Sequence, residues 1–363
     1  MDFEKLELRK AGLDLVNPFE TSNWRIETRE VLILCGKKNG EWVYGETSVL
    51  PDPVYNHEST QTAQEFIKKY VIPAVKDSNS VEDYWNNISY LKGHPHAKSS
   101  GDQLLHHRQS VNQEKSLKDI INGAGDVAEC GVSLGVTDED KIVEKVQGYL
   151  DQGYKRIKLK IKPGKDIGYV RKVRKHFPDV DLMADANSAY SLSHKDRLKK
   201  LDSFDLQMIE QPLSHDDLVN HSVLNNYIDT PICLDESIHS AEDVKRASRI
   251  DACSIVNLKP QRVGGIKESV KINQACKEED MKMWMGGVIE SGIGASTQII
   301  LSSLSEIKFP GDIGASSRYF EEDIVNPEIK VNNGQIKIPD NPGLTNSVDR
   351  GKLKEKTMEK WTF

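Results

Sequence analysis

Five charged residues recur at an almost constant spacing through the second half of the sequence. Each of them lies near the end of a short apolar run, and the separations are 25, 25, 25 and 24 residues. The five are two lysines and three acids: Lys160, Asp185, Glu210, Asp235 and Lys259. A single acid at the end of a strand is often only the N-cap of the next helix. Three acids and two lysines in phase are difficult to explain as caps, so the spacing indicates a functional site.

The types of these residues suggest a particular chemistry. Three carboxylates that converge on one place would raise one another's pKa unless a cation lay between them. Hard oxygen ligands without His or Cys suit Mg²⁺, with Mn²⁺ as a substitute. We expect lysines beside such a dication to have a lowered pKa, and a neutral lysine is a competent general base. The prediction is removal of a proton next to a substrate carboxylate, with Mg²⁺ stabilising the enediolate. Asn187 is either a further oxygen donor or a residue of the DANS turn.

A regular alternation of strand and helix patterns would position these residues. Seven apolar runs have strand character, and helix-like spans separate them. The runs are 129–135, 156–161, 180–187, 206–212, 231–237, 253–260 and 281–287. This α/β alternation implies parallel strands with right-handed crossovers. Seven or eight units predict a (β/α) barrel, with an open doubly wound sheet as the alternative, and a barrel would bring the strand ends to one mouth.

The stretch KRIKLKIKPG, residues 155–164, alternates strictly between apolar and basic residues. A period of two is typical of a strand with one apolar and one polar face. In a barrel the polar face of this strand would be the interior. We therefore expect Lys158 and Lys160 inside the barrel, the apolar side chains against the surrounding helices, and Arg156 and Lys162 in solvent.

The N-terminal part of the sequence has a mixed character. Residues 29–36 and 41–50 have the pattern of a β-hairpin. Residues 62–75 have the pattern of a helix interrupted by Pro73. The polar segment 92–123 is weakly patterned, and we expect helix with loops there.

These patterns predict two domains. Residues 1–125 would form an α+β capping domain, completed by residues 325–363, and residues 126–324 would form the barrel. The histidines in the polar N-terminal segment lack the HExxH spacing of a metalloprotease, and we expect them on the surface. They are His94, His96, His106 and His107.

Composition and charge exclude several classes of partner. The chain has 363 residues, of which 37% are hydrophobic, and a net charge of −7, which argues against nucleic-acid binding. No apolar run approaches the roughly 18–20 residues that cross a membrane, and the N-terminus has no stretch of signal-peptide type. Five scattered cysteines without a CxxC pair are typical of reduced thiols. We therefore expect a cytoplasmic protein that acts on a small molecule.

The glycine pairs in 263–269 and 286–292 precede helices and could bind a substrate carboxylate, but no GxGxxG or Walker motif predicts a nucleotide.

The sequence resembles the muconate-lactonizing-enzyme subgroup of the enolase superfamily. Within that subgroup it is most similar to the o-succinylbenzoate synthase and N-acylamino acid racemase family. The motifs that carry the resemblance are RIKLKIKPG, DANSAY, MIEQPL, PICLDES, NLKPQRVGG, MGGVIESG and FPGDIGAS, with PFETS and GH-x-x-AK in the N-terminal part. The resemblance covers nearly the whole chain and implies a barrel of the modified TIM type with an α+β N-terminal capping domain.

The resemblance also implies roles for individual residues. The three acids would be the metal ligands, and Lys160 and Lys259 would be catalytic lysines on opposite faces of the substrate. Residues 19–24 would belong to a mobile loop over the substrate, and Arg262 matches an arginine of members capable of racemisation. The implied substrate-binding residues are Lys158, Asn187, Arg262, Gly286, Gly287, Ile289 and Ser133. The helix after GH-x-x-AK reads SSGDQLLHHRQS, where the family is rich in alanine and apolar residues.

Two enzymatic functions follow from the resemblance. The first is a lyase that dehydrates 2-succinyl-6-hydroxy-2,4-cyclohexadiene-1-carboxylate to 2-succinylbenzoate in menaquinone synthesis. The second is a racemase of N-succinyl or other N-acyl amino acids that uses the same two lysines. An inactive metal-binding homologue is a third hypothesis, and two-metal phosphoryl transfer is a fourth, although the sequence offers no basic set for a phosphate. We expect the protein to be a homo-oligomer.

Overall fold

The computed structural model describes residues 3–20, 25–135 and 139–363. The strands of this part of the chain are β1 (Lys5–Glu20), β2 (Arg25–Lys38), β3 (Glu41–Thr47), β4 (Val127–Glu129), β5 (Gly131–Leu134), β6 (Arg156–Lys160), β7 (Asp181–Asp185), β8 (Ile209–Glu210), β9 (Ile232–Leu234), β10 (Ile255–Leu258), β11 (Lys282–Met285), β12 (Ile307–Phe309), β13 (Val325–Asn326), β14 (Gln335–Lys337), β15 (Ser347–Val348) and β16 (Thr357–Thr362).

The α-helices are α1 (Thr60–Phe66), α2 (Ile72–Lys76), α3 (Val81–Ile88), α4 (Pro95–Gln113), α5 (Leu117–Ile120), α6 (Glu139–Asp151), α7 (Ile167–His176), α8 (Lys195–Leu198), α9 (Leu218–Asn225), α10 (Ala241–Arg249), α11 (Pro260–Val263), α12 (Ile266–Glu278), α13 (Gly292–Leu301), α14 (Ser316–Tyr319) and α15 (Arg350–Lys356). Among the described residues, no helix is long and apolar enough to cross a membrane.

The N-terminal region is built on a four-stranded antiparallel sheet in the order β16-β1-β2-β3. The predicted hairpin is confirmed, because β2 and β3 pair across the turn from Lys38 to Glu41. The last strand of the chain, β16, pairs with β1. Apolar side chains of one sheet face pack against α1 to α4. The boundaries that we predict for the two domains remain a prediction, although the pairing of β16 accords with a cap that includes the C-terminal segment.

Eight parallel strands form the second sheet, in the sequential order β5 to β12. A parallel bridge between Cys130 and Gly311 joins its two edges, and the N–H of Gly131 donates to the carbonyl of Gly311 at 2.7 Å. The predicted barrel is therefore confirmed, and the open doubly wound alternative is wrong. All seven predicted strand runs contain a strand. The eighth strand, β12, was not predicted, because it has only three residues, IKF, of which the central lysine is exposed.

The polar segment 92–123 contains one long, regular helix, α4, which packs between β3 and the barrel helices α11 and α12. The predicted surface position is wrong for three of the four histidines: His96, His106 and His107 are only 1%, 7% and 6% exposed, whereas His94 is half-buried. Hydrogen bonds accompany the burial of two of these rings. The Nδ1 of His107 accepts the N–H of Tyr44 at 3.1 Å, and the Nδ1 of His106 lies 2.9 Å from the carbonyl oxygen of Asp102.

The helix predicted for residues 62–75 spans residues 60–76, and Pro73 does not end it. A π-helical turn, Ile67–Val71, lies immediately before the proline, and α2 continues the helix beyond it. Proline has no N–H and its ring clashes with the carbonyl one turn earlier, so a wider turn at this point relieves the conflict.

Candidate active site

The five charged residues are brought together at one mouth of the barrel. Lys160, Asp185 and Glu210 are the last residues of β6, β7 and β8. Asp235 directly follows β9, and Lys259 directly follows β10. These five strands are consecutive neighbours in the sheet, so one residue of the set comes from each of them. The near-constant spacing in the sequence is thus the length of one strand–helix unit.

Two lysines bind the carboxylates at one end of this row. The Nζ of Lys160 donates to Oδ2 of Asp185 at 2.6 Å, and it also donates to Asn187. The Nζ of Lys158 lies 3.2 Å from Oδ2 of Asp185 and 3.1 Å from Oε2 of Glu210. The prediction that Lys158 and Lys160 point into the barrel is confirmed. The second carboxylate oxygen of Asp185 accepts the N–H of Asn187 at 3.0 Å, so the turn after β7 is tied to the site.

Lys259 and Arg262 bind the carboxylate at the other end. The Nζ of Lys259 donates to Oδ2 of Asp235 at 2.7 Å, and a guanidinium N–H of Arg262 donates to the other oxygen of the same carboxylate. The Nε of Arg262 is held by the carbonyl of Ile238 at 2.9 Å. Lys160 and Lys259 therefore bind different carboxylates, at opposite ends of the row.

Burial and mutual repulsion govern the charges of the three acids. Burial raises the pKa of Glu210, the negative charges of Asp185 and Asp235 raise it further, and it reaches about 8. Burial also raises the pKa of Asp185 and Asp235, but the lysines and Arg262 outweigh this effect and hold both values below the usual range. One of the three carboxyl groups is thus less well compensated than the other two.

The acids of the site also act on the pKa of two of the lysines. Burial lowers the pKa of Lys158 and of Lys259, but the acids that face them outweigh burial, and both values lie well above the usual range. The prediction of a lowered lysine pKa concerns lysines beside a bound dication and stays a prediction, because these two values reflect only the charges of the chain itself. Asp185, Glu210 and Asp312 contact the ammonium group of Lys158, and Asp235 contacts that of Lys259, so the charged form is favoured in both.

The donor set fits a hard divalent cation in its chemistry. Among the described residues, no group of three or more His, Cys, Asp or Glu side chains has the arrangement that holds a metal ion. The oxygens of the acids bind ammonium and guanidinium groups instead. However, three carboxylates from adjacent strand ends are buried together, and burial, with the charges of the two neighbouring acids, raises the pKa of Glu210. Oxygen ligands of this kind are those that Mg²⁺ takes in proteins.

Glycines after β11 allow close packing at the same mouth. A Cβ on Gly286 would lie 2.1 Å from Oδ1 of Asn257, whose Nδ2 donates to Glu210 at 2.6 Å. A Cβ on Gly287 would lie 2.8 Å from Nε2 of Gln298. The two glycines therefore let the backbone approach the side chains that surround the carboxylates.

The other predicted substrate-binding residues lie on the strands and loops around this mouth. Ser133 is in β5 and pairs in register with Lys158 of β6. Ile289 has a left-handed backbone, with φ of 60°, and its carbonyl accepts from Arg29 of β2 at 3.1 Å. Asn187 donates through Nδ2 to Glu236 at 3.2 Å. Of the predicted loop 19–24, residues 21–24 lie outside the described residues.

Sequence reasoning misplaced one basic residue and missed its partner. Arg156 was expected in solvent, but it is fully buried, and its Nη1 donates to Asp312 at 2.9 Å. The other oxygen of Asp312 lies 2.5 Å from the Nζ of Lys158. The error has a simple cause: the polar face of β6 lines the barrel along its whole length, and Trp284 packs beside both cations. Lys162, which follows the strand, is exposed as predicted.

Tyr55 was also missed. It lies in the irregular segment between β3 and α1, and its hydroxyl accepts from the Nζ of Lys259 at 3.0 Å. Neither periodicity nor spacing marks this residue, because it comes from a loop of the N-terminal region rather than from a barrel strand.

The comparisons with known proteins agree with this architecture. Residues 141–352 match the family described as "Enolase C-terminal domain-like". An o-succinylbenzoate synthase from Bacillus subtilis is 38% identical over 347 residues, which are 95% of this chain and 94% of that protein. An N-succinylamino acid racemase from Amycolatopsis is 37% identical and covers the same shares. A crystal structure of an enolase superfamily member from Listeria innocua superposes with a TM-score of 0.96 at 37% identity, over 100% of this chain and 99% of that one. The chain therefore belongs to the enolase superfamily, in the family of the o-succinylbenzoate synthases and N-succinylamino acid racemases.

Proposed function

We propose that the protein is an o-succinylbenzoate synthase. It would remove water from 2-succinyl-6-hydroxy-2,4-cyclohexadiene-1-carboxylate and so supply 2-succinylbenzoate for menaquinone synthesis. The observation that carries the proposal is the row of three buried carboxylates with a lysine at each end, at the mouth of the barrel. The names of relatives such as the Bacillus subtilis enzyme support the choice of reaction.

Lys160 is the base in this mechanism. Its Nζ takes the proton from the carbon next to the substrate carboxylate and then gives that proton to the leaving hydroxyl, which departs as water while the ring becomes aromatic. The side chain of Lys160 is 31% exposed and that of Lys259 only 10%, so Lys160 is the more accessible of the two. Lys259, held by Asp235 and Tyr55, places a positive charge opposite and stabilises the negative charge of the enediolate.

Asp185, Glu210 and Asp235 are the residues that would hold a divalent cation, Mg²⁺ or in its place Mn²⁺. A cation bound there would supply Lewis-acid stabilisation of the charge that develops on the substrate carboxylate. The residues of the chain keep their own tasks: Asn257 fixes one oxygen of Glu210, and Arg262 fixes one oxygen of Asp235.

Racemisation of N-succinyl or other N-acyl amino acids is the second candidate function. It is favoured by the positions of the two lysines, which bind carboxylates at opposite ends of the row and so can exchange a proton on opposite faces of one carbon. The Amycolatopsis relative bears the name of this activity. An inactive homologue is less well supported, because all five charged residues are present and meet in one place.

A paired assay in the presence of Mg²⁺ tests the proposal. One arm follows dehydration of the cyclohexadiene substrate, and the other follows exchange of the α-proton of N-succinyl amino acids in D₂O. Lys160→Ala should abolish dehydration and the interconversion of the two enantiomers, and any exchange that remains should come from the face that Lys259 serves. Lys162→Ala is the matched control, since Lys162 lies two residues later, is exposed, and should leave both rates unchanged. Failure of the wild-type protein in both arms would refute both enzymatic functions.

We also propose that the enzyme acts in the cytoplasm, as a homo-oligomer, on a small carboxylate substrate. All five cysteines are buried and unpaired, which is typical of proteins that work in a reducing compartment.

A further inference from the structure

Tyr55 comes from the N-terminal region but contacts the side chain of a barrel lysine. Its hydroxyl accepts from the Nζ of Lys259 at 3.0 Å, and the same Nζ lies 4.9 Å from the centre of the tyrosine ring. Asp235 accepts a second N–H of this ammonium group at 2.7 Å. An ammonium group has three N–H donors, so these two acceptors fix the direction of the third.

The segment that carries Tyr55 is anchored at both ends. At its start, the N–H of Ser48 donates at 2.5 Å to Oε1 of Gln261, which lies two residues after Lys259. At its end, the carboxylate of Glu58 accepts the N–H groups of His96 and Ala97 at the start of α4. The segment that carries the tyrosine is therefore held by two helices, namely α11, which follows Lys259, and α4.

The ring of Tyr55 is also supported from behind. The ring of His96 packs edge-on against it, with the centres 6.5 Å apart and the planes at 83°. His96 is buried in α4. In contrast, Lys160 at the opposite end of the row donates to Asp185 and Asn187. Tyr55 is thus in a position to act on one of the two lysines and not on the other.

We propose that Tyr55 is a positioning residue that aims the ammonium group of Lys259 at the substrate. The proposal rests on the second candidate function, racemisation, because it requires that Lys259 exchanges a proton with an α-carbon. Since the two lysines would serve opposite faces, the loss of the Tyr55 hydroxyl should slow proton exchange on one face and leave the other face unchanged. A merely structural role would affect both faces alike.

Single-lysine variants isolate the two faces. In Lys160→Ala, exchange in D₂O depends on Lys259, and in Lys259→Ala it depends on Lys160. Tyr55→Phe is added to each, and exchange is followed by NMR for both enantiomers of N-succinylphenylalanine with Mg²⁺. We expect exchange by Lys259 to fall by about 10-fold to 100-fold, the range for a misplaced catalytic group, and exchange by Lys160 to change by less than about 2-fold.

Tyr84→Phe is the matched control. It removes a buried hydroxyl of the same region, which donates to the carbonyl of Lys98 at 2.7 Å and does not contact Lys259. Equal losses on both faces, or no loss with Tyr55→Phe, would overturn the proposal. So would the absence of any exchange in Lys160→Ala while the wild-type protein is active. If the wild-type protein itself exchanges neither enantiomer and dehydrates nothing, the proposed function fails instead.

Discussion

Replacing His107 by glutamine should make the protein more resistant to acid. His107 lies in α4, is 6% exposed, and accepts the N–H of Tyr44 at its Nδ1, so the folded state requires a neutral ring. Burial lowers its pKa from 6.5 to about 4. Glutamine can accept a similar hydrogen bond and carries no charge at any pH in this range.

The magnitude follows from the two pKa values. Between pH 6.5 and pH 4 the unfolded chain binds a proton at His107 that the folded protein does not, so acid favours unfolding. The contribution of the neutral His107 ring to the free energy of unfolding is fully present above about pH 6.5, and it falls as the pH drops towards 4. Each pKa unit corresponds to about 1.4 kcal/mol. Between pH 7 and pH 4.5 the wild-type protein should therefore lose on the order of 2–3 kcal/mol that the His107→Gln variant retains.

Urea unfolding of both proteins at a series of pH values measures this difference. The difference in unfolding free energy between variant and wild type should grow in favour of the variant as the pH falls through 6.5. Other groups titrate in both proteins, and their contributions cancel in the comparison. A difference that stays constant from pH 7 to pH 4.5 would refute the reasoning, because it would show that His107 titrates alike in both states.

Three further substitutions test the packing around the site and the cap. Gly286→Ala should abolish dehydration, because its Cβ would lie 2.1 Å from Oδ1 of Asn257; an active variant would contradict the close approach. Asp102→Ala should lower the unfolding free energy in urea by about 1–2 kcal/mol, since the carboxylate of Asp102 accepts the N–H of Ile266 and so caps a barrel helix; an unchanged midpoint would exclude that role. Gly148→Ala in α6 should raise the melting temperature, because a Cβ there meets nothing within 4 Å and alanine favours helix by about 0.5–1 kcal/mol; a lower melting temperature would show hidden crowding.

The barrel and its charged residues could be predicted because they follow from local pattern. Parallel strands joined by helices give a repeat of about 25 residues, and Lys160 to Lys259 keep to this repeat. Strict alternation in β6 placed Lys158 on the inner face. The same alternation places Arg156 on that face. The prediction that Arg156 lies in solvent is wrong because the barrel interior is buried as far as Asp312, which binds Arg156.

Contacts between the N-terminal region and the barrel could not be predicted in the same way. Tyr55 and Lys259 are 204 residues apart and lie on unrelated elements. The histidines of α4 look like surface residues because most residues of this helix are polar. They are buried because that helix fills the space between the sheet and the barrel, where acceptors such as the carbonyl of Asp102 are available. Such pairings depend on tertiary packing, which a repeat in the sequence does not encode.

Direct measurement of Mg²⁺ binding tests the central claim, that the three acids at the strand ends form one cation site. Isothermal titration calorimetry should show a single Mg²⁺ bound to the wild-type protein, and Glu210→Gln should weaken or abolish that binding while the fold, followed by circular dichroism, is kept. Glu359→Gln is a control at an exposed acid of β16 and should bind as the wild type does. Equal binding by Glu210→Gln and wild type would contradict the assignment of these carboxylates as metal ligands.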